Sequence, residues 1–259
     1  MLYITTSLKA QKPLWDEAAA WAASIGAAYV PRQQRTIHSL CQQYGREKVL
    51  VYTSKGPVME GDAGSHFFSL NMAELRILQI DRGQVDHFKE ALGTWHRPVS
   101  FLDCTCGFGA DTIIAAYTLP EGSTIHALEA TEPLAAVTSW GVTHFTHRRD
   151  DVTKALRKVR LTWGNYTDYL SNEKSRTYDI LYFDPMFTHP VMTSCQFAPI
   201  RSQMDHEPLT ADSIQKALEK ARRVIVKGRS FAELNRQFPQ ARILGGRYSR
   251  VKFAVLEGT

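Results

Sequence analysis

Two carboxylates and two glycines share one short stretch, Asp103-Cys-Thr105-Cys-Gly107-Phe108-Gly109-Ala-Asp111. An apolar run from Val99 precedes it and a helix-forming run to Thr118 follows it, so a buried strand turns sharply into a helix. Glycine at 107 and 109 permits that turn and lets a ligand approach the backbone. The helix N-terminus beyond it offers N–H groups without intrahelical partners. Such a turn suits either a dinucleotide or S-adenosylmethionine, and the residue types choose between them. A dinucleotide fingerprint needs a third glycine, GxGxxG, where this chain has Thr112. Asp103 and Asp111 are poor company for a pyrophosphate but suit a ligand with an ammonium and a sulfonium charge. Glu129 lies 20 positions beyond Gly109 at the end of the next strand-like run, followed by Ala130. An acid there can accept hydrogen bonds from both ribose hydroxyls. A third strand runs into Gly164-Asn165-Tyr166, where an amide and a ring could read and stack on adenine. The expected cofactor is S-adenosylmethionine.

About 80 residues further on, the strand-like run Ile180–Phe183 ends in Asp184-Pro185-Met186-Phe187. This resembles the (Asp/Asn)-Pro-Pro-(Tyr/Phe) motif of methyltransferases that act on planar amine nitrogens. An exocyclic base amine shares its lone pair with the ring and is a weak nucleophile. The Asp184 carboxylate and the Pro185 carbonyl can accept its two N–H bonds, which fixes the nitrogen in line and leaves electron density toward the methyl. Phe187 can stack on the base. No strong free base is required, although Asp184 can take the proton late.

From Gly64 onward the chain resembles the class I methyltransferase family of ribosomal RNA small subunit methyltransferase J, which modifies N2 of a guanosine in 16S RNA. The resemblance rests on Asp103-x-Thr105-x-Gly107-x-Gly109-x-Asp111, on Glu129 followed by Pro133, on Asp184-Pro185-Met186-Phe187-x-His189, and on Val224-Ile-Val-Lys227. It implies S-adenosylmethionine at Asp103, Gly107, Gly109, Asp111 and Glu129, and a base held near Asp184 and Phe187. His189 and Lys227 would then lie near the substrate, and 16S RNA or the small ribosomal subunit would be the partner. The chain departs from the family after the motif, where Pro190-Val-Met-Thr-Ser-Cys195 replaces a basic run. That departure keeps two other readings open: a methyltransferase of a small-molecule or protein amine, and a non-catalytic RNA-binding or ribosome-assembly protein on the same fold.

The elements that must position these residues alternate strand and helix from Val99 onward, the pattern of a parallel sheet with helices on both faces. Strands are expected at Val99–Cys104, Ser123–Glu129, Arg160–Trp163, Tyr178–Phe183 and Arg223–Lys227. A final antiparallel hairpin is expected around Gly245-Gly246. Residues 1–65 read as a small α/β domain, 66–98 as a helical connector broken at Asp81-Arg-Gly83, and 99–259 as the methyltransferase domain. Gly56-Pro57 and Gly61–Gly64 read as turns. In His66-Phe67-Phe68 the two rings read as a core pair.

With 44% hydrophobic and 22% charged residues the chain has the composition of a globular protein rather than a disordered or membrane one. No apolar run approaches the length of a membrane span, and Met1–Ser7 has no secretory pattern, so a cytoplasmic location is expected. Cys41, Cys104, Cys106 and Cys195 lack metal-ligand spacing, and no metal is expected. The net charge of +5 is compatible with an RNA partner. Basic residues recur at 147–149, at 154–160 and at Arg242, Arg247, Arg250 and Lys252, and such a spread could track a phosphate backbone. Monomer and homodimer are both compatible with the pattern.

Overall fold

The computed structural model describes residues 1–45, 48–61, 64–172, 177–185 and 209–258. Phe187 and His189 lie outside them. The described chain divides into two compact units. One holds residues 1–69 and 131–144, the other residues 70–130, 145–185 and 209–258.

The larger unit opens with two helices, α3 (Asn71–Asp81) and α4 (His87–Leu92). They follow α1 (Lys12–Ser24) and α2 (Ile37–Tyr44) of the smaller unit. The expected break between them is present, with Gly83 at φ +72. Asp86 caps α4 by accepting the Lys89 N–H at 2.9 Å. Both helices group with the larger unit.

Seven strands follow: β6 (Ser100–Asp103), β7 (Thr124–Glu129), β8 (Val159–Trp163), β9 (Tyr178–Phe183), β10 (Ala221–Gly228), β11 (Arg242–Leu244) and β12 (Lys252–Glu257). They form one sheet in the order β11-β12-β10-β9-β6-β7-β8. The five from β8 to β10 run parallel, and β12 is antiparallel to both β10 and β11. Strands covered on both faces are apolar throughout, and β9 shows why. Its Leu181 and Phe183 join a cluster with Leu102, Leu128, Val224 and Leu256, under Tyr166 and Leu170 of α8 (Tyr166–Ser171) and Ile214 and Ala217 of α9 (Ala211–Lys220). Its Tyr182 packs among Phe88, Phe101 and Phe253. The helix α5 (Ala110–Thr118) follows β6 and buries Ile113, Ile114, Ala115 and Ala116. This is the class I methyltransferase sheet with its C-terminal hairpin, as expected.

Two helices of this unit differ from expectation. The basic stretch 154–160 is largely α7 (Asp150–Lys158), which buries Val152, Ala155 and Leu156 and turns its charges outward. Gly164-Asn165-Tyr166 leads into α8 rather than an open loop.

The smaller unit contains β1 (Tyr3–Thr6), β2 (Ala28–Tyr29), β3 (Val49–Thr53), β4 (Gly56–Gly61) and β5 (Gly64–Phe67), ordered β2-β1-β3-β4-β5. The first three run parallel and the last two complete an antiparallel meander. Gly56-Pro57 therefore starts a strand. The turn sits one step earlier, where Thr53 pairs with Gly56 and its hydroxyl donates to the Gly56 carbonyl at 2.8 Å. The helix α6 (Glu132–His144) groups with this unit. Its Gly141 leaves room for the Phe68 ring. Phe68 is buried as expected, but Phe67 is 55% exposed, so the pair is split.

Candidate active site

In the larger sheet the chain leaves β6 toward β7 and β8 on one side and later returns to β9 and β10 on the other. Open α/β sheets take ligands at such a reversal, outside the strand C-termini. Asp103 ends β6, Glu129 ends β7, Trp163 ends β8 and Asp184 follows β9, so four strands deliver their last residues to one edge.

The loop after β6 is shaped from within. Asp103 is 1% exposed. One of its oxygens accepts the Thr105 N–H at 2.9 Å and the other the Thr112 hydroxyl at 2.5 Å. Burial pushes its carboxyl up to about 7. Gly107 and Gly109 both take positive φ, +55 and +77, conformations that cost an L side chain about 1–2 kcal/mol. Gly109 caps α5 in that conformation. The Gly107 N–H donates to Glu129 at 2.8 Å, which ties the glycine turn to the end of β7. Among the described residues a Cβ at Gly107 or Gly164 would meet nothing within 4 Å, so no described side chain covers either. Half-buried Phe108 lies between the two glycines.

Asp111 begins α5 and is the hub of a buried ion cluster. Arg76 of α3 donates to one of its oxygens at 2.5 Å. The Tyr182 hydroxyl and Lys227 Nζ donate to the other at 2.7 and 2.9 Å. Arg76 also pairs with Asp86 at 2.8 Å. Burial alone would raise the Asp111 pKa, but Lys227 and Arg76 outweigh it and hold the carboxyl well below its ordinary range. Lys227 reaches Asp184 as well, at 2.7 Å. Burial opposes its charge, yet Asp111 and Asp184 together keep its pKa above the usual lysine value. Asp184 is pushed up by burial and pulled back by Lys227. Its backbone N–H donates to the Thr105 hydroxyl at 2.6 Å, so the acceptor motif is bonded directly to the cofactor loop.

The expected site residues also bond within the protein. Asp103 and Asp111 each accept hydrogen bonds from protein groups, which shape and charge the site. Lys227 lies between the carboxylates of Asp111 and Asp184. Tyr166 is in the core against Phe183, ring centroids 5.3 Å apart, and offers no stacking face. The Asn165 side-chain carbonyl caps α8 by accepting the Thr167 N–H at 2.7 Å. Sequence reasoning missed Arg76 and Tyr182, whose partner Asp111 is far along the chain from both. It also missed Trp163, which is 58% exposed, is the register partner of Glu129 and donates its indole N–H to the Ala130 carbonyl at 3.0 Å. A large aromatic just ahead of Gly164 at a strand C-terminus was the available signal.

This donor set fits S-adenosylmethionine. Bare glycine backbone can lie beside the ligand, an acid stands at the second strand end for ribose hydroxyls, and an exposed indole stands beside it for adenine.

Relatives agree with the geometry. The chain is 25% identical over 223 residues to the uncharacterized protein YpiP of Bacillus subtilis, covering 86% of each chain. Its fold matches the SAM-dependent methyltransferase NGO1261 of Neisseria gonorrhoeae with a TM-score of 0.58, at 16% identity and covering 98% of this chain and 95% of that one. Residues 65–250 match the family model "Putative SAM-dependent methyltransferase". The chain belongs to this family of S-adenosylmethionine-dependent methyltransferases.

Proposed function

We propose that the enzyme methylates an exocyclic base amine, guanosine N2 in small-subunit ribosomal RNA. The observation that carries this reading is the state of Asp184. Lys227 occupies its Oδ2, and its backbone is bonded to the cofactor loop. Among the described residues Oδ1 remains as the acceptor for an incoming N–H, next to the Pro185 carbonyl. S-adenosylmethionine, when bound, supplies an electrophilic methyl on a sulfonium. Asp184 and Pro185 hold the amine by its N–H bonds and direct the nitrogen lone pair outward. As the N–C bond forms the nitrogen must lose a proton, and Asp184 is the group in reach to take it. Burial raises the Asp184 pKa, which suits a proton acceptor, and Lys227 offsets part of that rise.

An RNA substrate is supported by the C-terminal hairpin. Arg242, Arg247, Arg250 and Lys252 have no ion pair there among the described residues. Tyr248 is 88% exposed, with the Arg247 guanidinium 5.7 Å from its ring centroid. Cations beside an exposed ring suit a backbone with an unstacked base. The resemblance to the family of ribosomal RNA methyltransferase J supports guanosine N2 as the acceptor.

The test is transfer of labelled methyl to small ribosomal subunits and stripped 16S RNA from a strain lacking the gene, with the modified nucleoside identified by mass spectrometry. Label in N2-methylguanosine is expected. Label confined to small amines or protein would reject the RNA substrate and keep the amine chemistry. Asp184→Ala should abolish turnover and leave S-adenosylmethionine affinity within a few-fold; normal turnover by this variant would remove Asp184 from the chemistry.

A further inference from the structure

The smaller unit has a ligand-type sheet edge of its own. The chain passes from β1 to β2 on one side and then crosses back to β3 on the other. Strand order therefore reverses at β1, the same topological situation that makes a site in the larger sheet.

The residues at that edge have unmet polar needs. Thr5 and Thr6 end β1 at 1% and 0% exposure, and neither hydroxyl has a hydrogen-bond partner among the described residues. A buried, unpaired hydroxyl costs about 1–3 kcal/mol. Arg32, just past β2, is 9% exposed. Its Nε donates to the Arg35 carbonyl at 2.6 Å and its Nη1 to the Thr6 carbonyl at 3.3 Å. Its Nη2 has no hydrogen-bond partner, and no carboxylate forms an ion pair with the guanidinium, among the described residues. Glu60 acts on it only through space, and burial depresses its pKa. A buried cation held by carbonyls alone is under-compensated.

An oxyanion meets the need of the guanidinium and of one of the two threonines. It accepts from the open edge of the guanidinium and from a hydroxyl, and it supplies the missing negative charge. We propose that this unit binds a phosphate-sized oxyanion at the C-terminal end of β1, held by Arg32 and a threonine hydroxyl of that strand. The ligand class is a phosphate monoester or free phosphate. Thr5, Thr6 and Arg32 all belong to the smaller unit, and binding there does not depend on the methyl acceptor.

The test uses the full chain with inorganic phosphate, and AMP in a parallel arm, against chloride at matched ionic strength, read by thermal unfolding and calorimetry. Phosphate should raise the melting temperature where chloride does not. Arg32→Lys should weaken phosphate binding at least tenfold, because a point charge replaces a planar fork, with S-adenosylmethionine affinity within twofold of the parent. Consecutive strand residues face opposite ways, so one of Thr5→Val and Thr6→Val should lose the phosphate response while melting no lower than the parent without phosphate. Tighter binding of AMP than phosphate identifies a nucleotide as the source; equal binding identifies phosphate itself. No phosphate-specific shift in the parent chain overturns the proposal, as does a response undiminished in all three variants.

Discussion

Asp111 and Asp184 lie close enough to share one ammonium, and only one of them is also served by Arg76 and Tyr182. The unequal support separates the two acids. Arg76 and Lys227 hold the Asp111 pKa well below its ordinary range, whereas burial raises that of Asp184 and Lys227 is the largest group opposing the rise. Lys227→Met should therefore lower turnover by about 10²-fold, the usual scale for losing one preorganised electrostatic partner, with S-adenosylmethionine affinity nearly unchanged. It should also move the acid limb of the pH–rate profile upward, since without the cation Asp184 ionises later. Single-turnover rates across pH would show it, and an unshifted limb would place Lys227 outside the control of Asp184. Asp103 gives a stability signature instead. Its folded carboxyl titrates near 7, above the ordinary 3.8, so the native state binds the extra proton between those values. Native stability from this group is then greatest below the window and is lost as pH rises through it. Between pH 5 and 8 the parent should lose on the order of 2 kcal/mol relative to Asp103→Asn. Urea midpoints at the two pH values measure this, and parallel pH dependence of the two proteins would contradict it.

At the scale of elements, the legible part of the sequence is whatever a local pattern dictates. The glycine turn, the five parallel strands and the terminal hairpin each carry their own periodicity or punctuation, and all stand where the pattern puts them. The illegible part depends on partners far along the chain. Gly56-Pro57 reads as a turn because both residues punctuate, yet pairing with β3 pulls it into a strand. Charges dominate 150–158, and the apolar stripe of α7 is only Val152, Ala155 and Leu156. Tyr166 reads as a ligand-stacking ring because it follows a strand; a helix starting at that residue turns it into the core. In the candidate site, spacing alone points to the glycines and Glu129. The Arg76–Asp111–Lys227 cluster stays hidden because three separate elements contribute to it. Gly141 shows how such packing reverses a local rule. Alanine in a helix interior normally stabilises by up to about 1 kcal/mol over glycine. A methyl at Gly141 would run into the Phe68 ring, so Gly141→Ala should destabilise by about 1–3 kcal/mol. Thermal unfolding decides the sign, and a stabilised variant would mean that Phe68 yields without cost.

For the molecule as a whole, the distribution of charge matters more than the net +5. Many of the basic residues that suggest an RNA track are consumed locally. Arg149 pairs with Asp81 at 2.7 Å and Asp151 at 2.6 Å, His147 reaches Glu74 at 3.1 Å, and Lys158 meets Glu121 at 3.5 Å. Arg149 and Lys158 release few counterions from a nucleic acid, because carboxylates already balance them. The hairpin cations have no such partners among the described residues, so salt-dependent binding should concentrate there. Replacing Arg247 and Arg250 together by Glu should weaken ribosomal RNA binding and flatten the slope of log affinity against log salt by roughly 1–2, since each neutralised phosphate adds about 0.7–0.9 to that slope. The same change at Arg148 and Arg149 should leave the slope within error, although it would disturb the local ion pairs. S-adenosylmethionine affinity should be untouched by the hairpin change, since the glycine loop and Glu129 lie at the opposite side of the strand order from β11 and β12. Equal slopes for both double variants would mean that charge acts diffusely and that the hairpin is not the RNA-facing surface.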